Sequence, residues 1–300
     1  MLHVLPGPVR GVLTLALIAV NTVAWCVPVY ALILVKLAVP VPAWRPFLDR
    51  ILTVCGESWI SVNNAVLALT QSTTWDVRGI DGLARQGRFL VNANHQSWAD
   101  IVVLQRVFNR RIPFLKFFVK QELIWMPILG LAWWGMGFPF VKRYSREQLE
   151  RHPELRGKDM ETTRRMCDRF SGQPVSIINF LEGTRYTPEK HARQDAPYEH
   201  LLRPKAGGVA FVLAAVGDTL ESMLDVTIVY EGGRPTFWGF LSGNVPRIIV
   251  AVREREIPRD LIGGNYMDDP DFRQRIQSWT RSLWMDKDVL IGDLLDEVAA

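Results

Sequence analysis

At 300 residues the chain has room for two domains at most, and 48% apolar against 22% charged residues excludes a disordered or fibrous protein. Thirty-five Lys and Arg against 31 Asp and Glu leave a net charge of +4, which falls short of the basic stripe of a nucleic-acid binder, while a pI near 9.0 suits a surface facing anionic lipid. Three cysteines, at positions 26, 55 and 167, lack the spacing of a disulfide framework or a zinc site and fit a reducing compartment.

The first element is a charge-free run of 25 residues, 11–35, bounded by Arg10 and Lys36. As a helix rising about 1.5 Å per residue it covers roughly 37 Å, enough to cross a hydrocarbon core of about 30 Å with some tilt. Pro28 kinks such a helix, which membrane helices tolerate. A cleaved signal peptide is the competing reading, but the run exceeds an apolar core of about 7–15 residues and no small-x-small cleavage site follows before Pro40. Lys36, Arg45 and Arg50 follow the run while only Arg10 and the amino terminus precede it. The positive-inside bias therefore places the remainder on the cytoplasmic face of a cell inner membrane. After a Pro-rich hinge at 39–46, apolar residues Phe47, Ile51, Val54, Ile60 and Leu67 recur at helical spacing, so 44–70 predicts a second helix lying on the membrane or on the body. Residues 1–70 read as a transmembrane anchor followed by a second membrane-associated helix, and 71–300 as a separate globular domain.

From 71 onward, short apolar runs broken by Gly, Pro and Asn alternate with longer amphipathic stretches. That is the pattern of an α/β fold, a mixed central sheet flanked by helices. It predicts strands at 73–80, 88–93, 114–119, 138–141, 175–180, 224–230 and 247–252, and helices at 97–107, 121–134, 160–170, 207–216 and 271–285. The uncharged stretch 123–141 carries Trp125, Trp133 and Trp134, but five Gly or Pro in 19 residues argue against a second span. It reads either as a segment shared between the domain and the membrane interface, where Trp is favoured, or as ordinary core. In 142–165 eight basic residues accompany five acidic ones, a solvated surface or a contact for anionic groups.

Two constellations carry chemistry. Asn94-His95-Gln96-Ser97-Trp98-Ala99-Asp100 follows a predicted strand directly. His and Asp five residues apart lie about 500° apart on an ideal helix and cannot project side by side from it. They meet if His95 stays in the loop and Asp100 sits about one turn into the helix, with Ser97 near its N-cap. The carboxylate then holds the imidazole tautomer, and the pair is a general-base dyad. By itself the spacing fits ordinary helix-start punctuation better than a dyad. The second constellation, Phe180-Leu181-Glu182-Gly183-Thr184-Arg185, closes another strand with a carboxylate, a flexible backbone position, a hydroxyl and a guanidinium. Such a turn offers backbone N–H groups and a bidentate cation to a phosphate monoester, or is simply a salt-bridged turn. Lys142-Arg143, after a third strand, adds cations toward the same sheet edge.

Asn-His-x-Ser-x-x-Asp at 94–100, an apolar strand leading to Arg143 and Glu-Gly-Thr-Arg at 182–185 resemble, in order and separation, the first three motifs of the 1-acylglycerol-3-phosphate acyltransferase family of glycerolipid and lysophospholipid acyltransferases. The stretch 200–208 followed by 225–230 is similar to the branch containing lysocardiolipin-type acyltransferases. Leu181 stands where the family often has Pro, and residues 139–142 depart from the usual sequence before the Arg. The resemblance implies His95 as base, Asp100 as its partner, and Arg143 with Glu182, Gly183, Thr184 and Arg185 as binders of the glycerophosphate. It further implies a membrane enzyme that moves an acyl group from acyl-CoA or acyl carrier protein to 1-acylglycerol-3-phosphate, giving phosphatidic acid, with the thioester as co-substrate and neither cofactor nor metal. Another lysophospholipid acceptor, a non-catalytic lipid-binding protein on the same fold, and a thioesterase using water are the alternatives. Ser97 has no Gly-x-Ser-x-Gly elbow around it and reads as a helix cap, and no cysteine has a neighbouring His.

Overall fold

The computed structural model describes residues 2–39, 41–141, 151 and 174–299. The strand Arg88–Ala93 (β2) is buried along all but its first residue, so it requires a partner on each edge and a helical layer on each face. Val175–Phe180 (β6) and Ser222–Tyr230 (β7) take the edges, both parallel to it, with Ala93 opposite Phe180 on one side and Val226 on the other. With Thr74–Arg78 (β1), Leu115–Phe117 (β3) and Arg247–Arg255 (β8), the sheet runs β1-β8-β7-β2-β6-β3. β8 pairs antiparallel with β7 and parallel with β1, so β7, β2, β6 and β3 share one direction. The expected mixed sheet flanked by helices is the observed architecture.

One face packs Phe89, Val91, Leu224 and Ile248 against Leu67 of Arg45–Thr70 (α2) and Val103, Leu104 and Val107 of Ala99–Phe108 (α3). The other packs Leu90, Ile177, Met223 and Ile249 against Val209 and Leu213 of Ala206–Val216 (α6) and Ile276 and Trp284 of Pro270–Ala299 (α8). Each such side chain contributes about 1.5–3 kcal/mol by leaving water. The expected helix at 271–285 runs on to residue 299, burying Ile291 and Leu294, and within this extension Lys287 turns into the sheet. Its ammonium lies 2.6 Å from Asp225 Oδ1 and donates to Val226 O at 2.7 Å and Thr227 Oγ1 at 3.2 Å. Burial pushes the Lys287 pKa down and Asp225 holds it up.

The predicted strand at 114–119 divides at Phe118. β3 joins the main sheet, while Val119–Lys120 (β4) pairs with Phe140–Val141 (β5) in a two-stranded sheet. The predicted helix at 121–134 divides too, into a 3-10 turn, Gln121–Trp125, and the short helix Leu129–Gly135 (α4). Pro127 disfavours the helical conformation at Met126, which is extended, and Ile128 takes a left-handed φ of 67°. Trp133 packs inward on Phe138, while Trp125 is 86% exposed and Ile128, Leu131 and Trp134 are exposed beside it. One side of this hairpin is thus core, as one reading of 123–141 expected, and the other side exposes apolar residues. The expected helix at 160–170, Lys142 and Arg143 lie outside the described residues.

The charge-free run lies within Gly7–Ala38 (α1), the one described helix long and apolar enough to cross a membrane. It does not stand clear of the body. Asn21 donates to Asn63 Oδ1 at 2.8 Å and to Trp59 O at 3.0 Å, and Lys36 pairs with Asp49, so α1 runs antiparallel to α2. At its start Arg10 donates to Ser242 O at 2.6 Å and Gly243 O at 3.3 Å. Near its end Tyr30 donates to Ile128 O, and Ile33 packs so closely on Gly135 that a Cβ there would come within 2.1 Å of it.

Lys287→Met leaves Asp225 buried with Arg255, 3.1 Å away, as its remaining cation. It should destabilise the protein by about 3 kcal/mol in denaturant unfolding, and adding Asp225→Asn should restore most of the loss.

Candidate active site

Because β2, β6 and β7 are parallel and in register, their carboxyl ends open on one edge of the sheet, where the following loops meet. The β2 loop begins with Asn94, whose amide clamps the backbone of Ile228 twice, donating to its carbonyl at 2.9 Å and accepting from its N–H at 2.8 Å. That clamp leaves His95 in the loop and starts α3 at Ala99. Asp100, in the first turn of α3, is fully buried, and its Oδ2 lies 2.8 Å from His95 Nδ1. The same oxygen accepts from the N–H of Gln96 at 2.6 Å and of Ser97 at 2.9 Å. His95 stacks on Phe180 with ring centroids 4.0 Å apart. With Nδ1 engaged by Asp100, Nε2 is the nitrogen left for proton transfer. The N-cap of α3 is Trp98, not Ser97; Ser97 precedes it, its Oγ accepting from Ala99 N at 3.1 Å and donating to Pro235 O at 2.7 Å.

The β6 loop brings 182–185 beside the dyad. Glu182 turns inward, its Oε1 accepting from His95 N at 2.8 Å and its Oε2 from Leu202 N at 3.3 Å, and it is buried. Burial pushes its pKa up to about 8, against the pull of those two N–H groups and of Arg234, while the Asp100 charge adds to the rise. Tyr186 N donates to His95 O at 2.8 Å, so this loop holds the His95 backbone from both sides. Gly183 has a φ of +64°, a conformation that favours glycine, while the atoms a Cβ there would approach belong to the flexible Lys205 side chain. Thr184 Oγ1 accepts from Lys190 Nζ at 2.7 Å. The exposed Arg185 guanidinium lies 4.6 Å from the Trp98 ring centroid.

His95, Asp100, Glu182, Gly183, Thr184 and Arg185 thus come together; Arg143 lies outside the described residues. Sequence reasoning missed Lys190, Lys205 and Arg234, which add cations around the turn, Arg234 stacked 3.5 Å from the Tyr186 ring centroid. It also missed Tyr230, whose hydroxyl is 2.6 Å from Asp100 Oδ1. The signal was a tyrosine ending a strand parallel to the one before His95.

A family model described as Acyltransferase matches residues 74–231. The chain is 25% identical over 226 residues to 1-acyl-sn-glycerol-3-phosphate acyltransferase epsilon of Mus musculus, covering 68% of this chain and 57% of that one. It is 25% identical over 187 residues to the gamma enzyme of Homo sapiens, covering 58% and 44%. To the 2-acyl-1-lysophosphatidylinositol acyltransferase of Saccharomyces cerevisiae it is 23% identical over 247 residues, covering 66% and 59%. The chain spans about half the length of these relatives. Among solved structures, the 1-acyl-sn-glycerophosphate acyltransferase PlsC of Thermotoga maritima aligns over 90% of this chain and 98% of that one, at 16% identity and a TM-score of 0.45.

A carboxyl whose pKa is about 8 when folded and near 4.5 when unfolded prefers its neutral form in the fold. Its contribution is full below about pH 4.5 and is lost as the pH rises through about 8. Between those limits the melting temperature of Glu182→Gln should fall less steeply with pH than that of the wild type. Parallel slopes in thermal melts would remove Glu182 as the group responsible.

Proposed function

Because the chain belongs to the Acyltransferase family, matched over 74–231, we propose that it is a membrane-attached O-acyltransferase that moves a fatty acyl group from acyl-CoA or acyl carrier protein to the free hydroxyl of 1-acylglycerol-3-phosphate, giving phosphatidic acid. The observation that carries this reading is the His95–Asp100 pair at 2.8 Å set beside the cationic turn 183–185 on one sheet edge. The similarity to the mouse and human relatives supports the acceptor. The yeast relative supports, as second reading, a lysophospholipid with a larger headgroup.

In the proposed reaction the acceptor hydroxyl attacks the thioester carbonyl as its proton passes to His95 Nε2. The C–O bond forms, the C–S bond breaks, and the imidazolium returns the proton to the departing thiolate. An alcohol is not ionised at neutral pH, so base assistance of this kind is worth about 10²–10⁴-fold, or about 3–5 kcal/mol. Asp100 stabilises the imidazolium and fixes the tautomer. Gly183 and Thr184 offer backbone and hydroxyl, and Arg185, with Arg143, offers charge to the phosphate. Glu182 serves from behind, tying His95 to Leu202 through backbone N–H groups.

Attachment to the membrane rests on α1 together with exposed Trp125, Ile128, Leu131 and Trp134. In place of the full crossing that the sequence suggests for α1, Arg10 near its start bonds residues 242–243 and Tyr30 in its second half bonds Ile128, so we place both on the side of the catalytic domain, the cytoplasmic face of the inner membrane.

His95→Ala should lower acyl transfer to a lysophosphatidic acid by at least about 10²-fold while the protein stays folded and membrane-bound, read by mass spectrometry of the products. Near-wild-type turnover would end the mechanism. Arg185→Ala should raise KM for the lysolipid about tenfold or more and leave KM for the donor nearly unchanged, with Arg185→Lys restoring only part, since Lys lacks the bidentate fork. Equal damage to both constants would move Arg185 to the donor site.

Single cysteines at Leu2, Gln86 and Glu256 should all be shielded from an impermeant thiol reagent in intact cells and react once the membrane is opened. Labelling of Leu2 alone from outside would mean that α1 crosses completely.

A further inference from the structure

Asp100 has two carboxylate oxygens with unequal surroundings. Oδ2 carries His95 Nδ1 and the N–H groups of Gln96 and Ser97, while Oδ1 accepts from the Tyr230 hydroxyl at 2.6 Å. Tyr230 is the last residue of β7, buried among the residues that pack α3 on the sheet. The same end of β7 takes the Asn94 clamp at Ile228, and Pro235 five residues on takes Ser97. Tyr230 therefore sits on the rigid wall behind the dyad and reaches the one carboxylate oxygen that the β2 loop does not satisfy.

We propose that Tyr230 is a positioning residue for acyl transfer, whose hydroxyl holds the Asp100 carboxylate in one rotamer and draws negative charge away from the oxygen that faces His95. The inference rests on the reading of His95 as the base. A base works best when it gives its proton back as readily as it takes it. An Asp100 with all its charge on Oδ2 would grip the imidazolium and slow proton return to the thiolate. Burial and the Asp100 charge raise the Tyr230 pKa well above its ordinary value, which keeps the phenol a donor at every working pH. Among the described residues, the other charged groups held against this loop are Glu182, bonded to His95 N, Arg234 over Tyr186, and Arg185 over Trp98. These groups are engaged by partners other than Asp100.

Tyr230→Phe removes the hydroxyl and keeps the ring volume, so packing is preserved. The His95 titration midpoint is followed by carbon-13 NMR of histidine-labelled protein in lipid nanodiscs, with His95→Ala identifying the resonance, alongside steady-state kinetics and melting temperature. The expected result is a midpoint moved to higher pH, a kcat lowered about tenfold, both KM values within about twofold of wild type, and an acid limb of kcat/KM moved the same way. An unmoved midpoint in folded Tyr230→Phe overturns the proposal, whether kcat is unchanged or falls together with the melting temperature, since the latter is what a packing residue would do. The midpoint is read without turnover. A wild-type protein inactive on every lysophospholipid would thus count against the proposed reaction while the Tyr230 test still gives its answer.

Discussion

The constraint on which the site depends is the burial of the Asp100 carboxylate. A charged group taken fully out of water is tolerable only if its oxygens are met by donors, and here four donors meet them. Two are backbone N–H groups of its own loop, one is the imidazole and one is the phenol at the end of β7. The loop at 94–98 must fold back over the first turn of α3 to deliver its share, which explains why His95 stays out of the helix and why its ring is fixed. The start of a helix is also where a negative charge is favoured by unpaired N–H groups and the helix dipole. Electrostatics and chain path therefore support the same geometry.

The second support is register. With Ala93 opposite both Phe180 and Val226, the chains leaving β2 and β6 start at the same height beside the last turn of β7. Phe180 can stack on His95, Glu182 can take the His95 N–H, and Tyr230 can reach Asp100 because the sheet has already brought them level. Shifting any one strand by a residue would send these side chains to the opposite face. Trp284 of α8 extends the frame, donating to Leu202 O at 3.0 Å, so the residue that shares Glu182 with His95 is itself tied to the helical layer.

Local patterns made much of this legible. Strands 88–93 and 175–180 match the sequence reading to the residue because each is a short, mostly apolar run closed by a polar loop. The His95-to-Asp100 spacing was informative because it excludes a shared helix face, which forces the loop-to-helix geometry observed. What escaped depends on contacts distant in sequence. Short helices such as Pro188–Gln194 carry too few turns to show a period. Asn92, Asn179, Asp225 and Lys287 look like solvent-facing positions, yet they lie within the fold on the α6 and α8 side of the sheet. Asn179 reaches Asn92 at 3.3 Å, and Lys287 meets Asp225 from a helix about sixty residues on. Tyr230 escaped for the same reason, since its partner lies 130 positions earlier. Glu182 was legible as a member of the turn, but nothing in its neighbours says that its carboxylate points inward.

The two halves of the site are built on different principles. The dyad is backed by buried groups, each bonded to a fixed partner, so its geometry is set before any substrate arrives. The cations are exposed, and long exposed side chains ordinarily lose entropy when they grip a ligand. Stacking limits that loss here. The Arg185 guanidinium lies 4.6 Å from the Trp98 ring centroid and that of Arg234 3.5 Å from the Tyr186 centroid, contacts that restrain each cation. Lys190 is held in turn by Thr184 and the Arg185 carbonyl. A change in this cationic rim can therefore be accommodated without disturbing His95 and Asp100, because, among the described residues, the rim is attached to the dyad through backbone and aromatic contacts and not through shared charged hydrogen bonds.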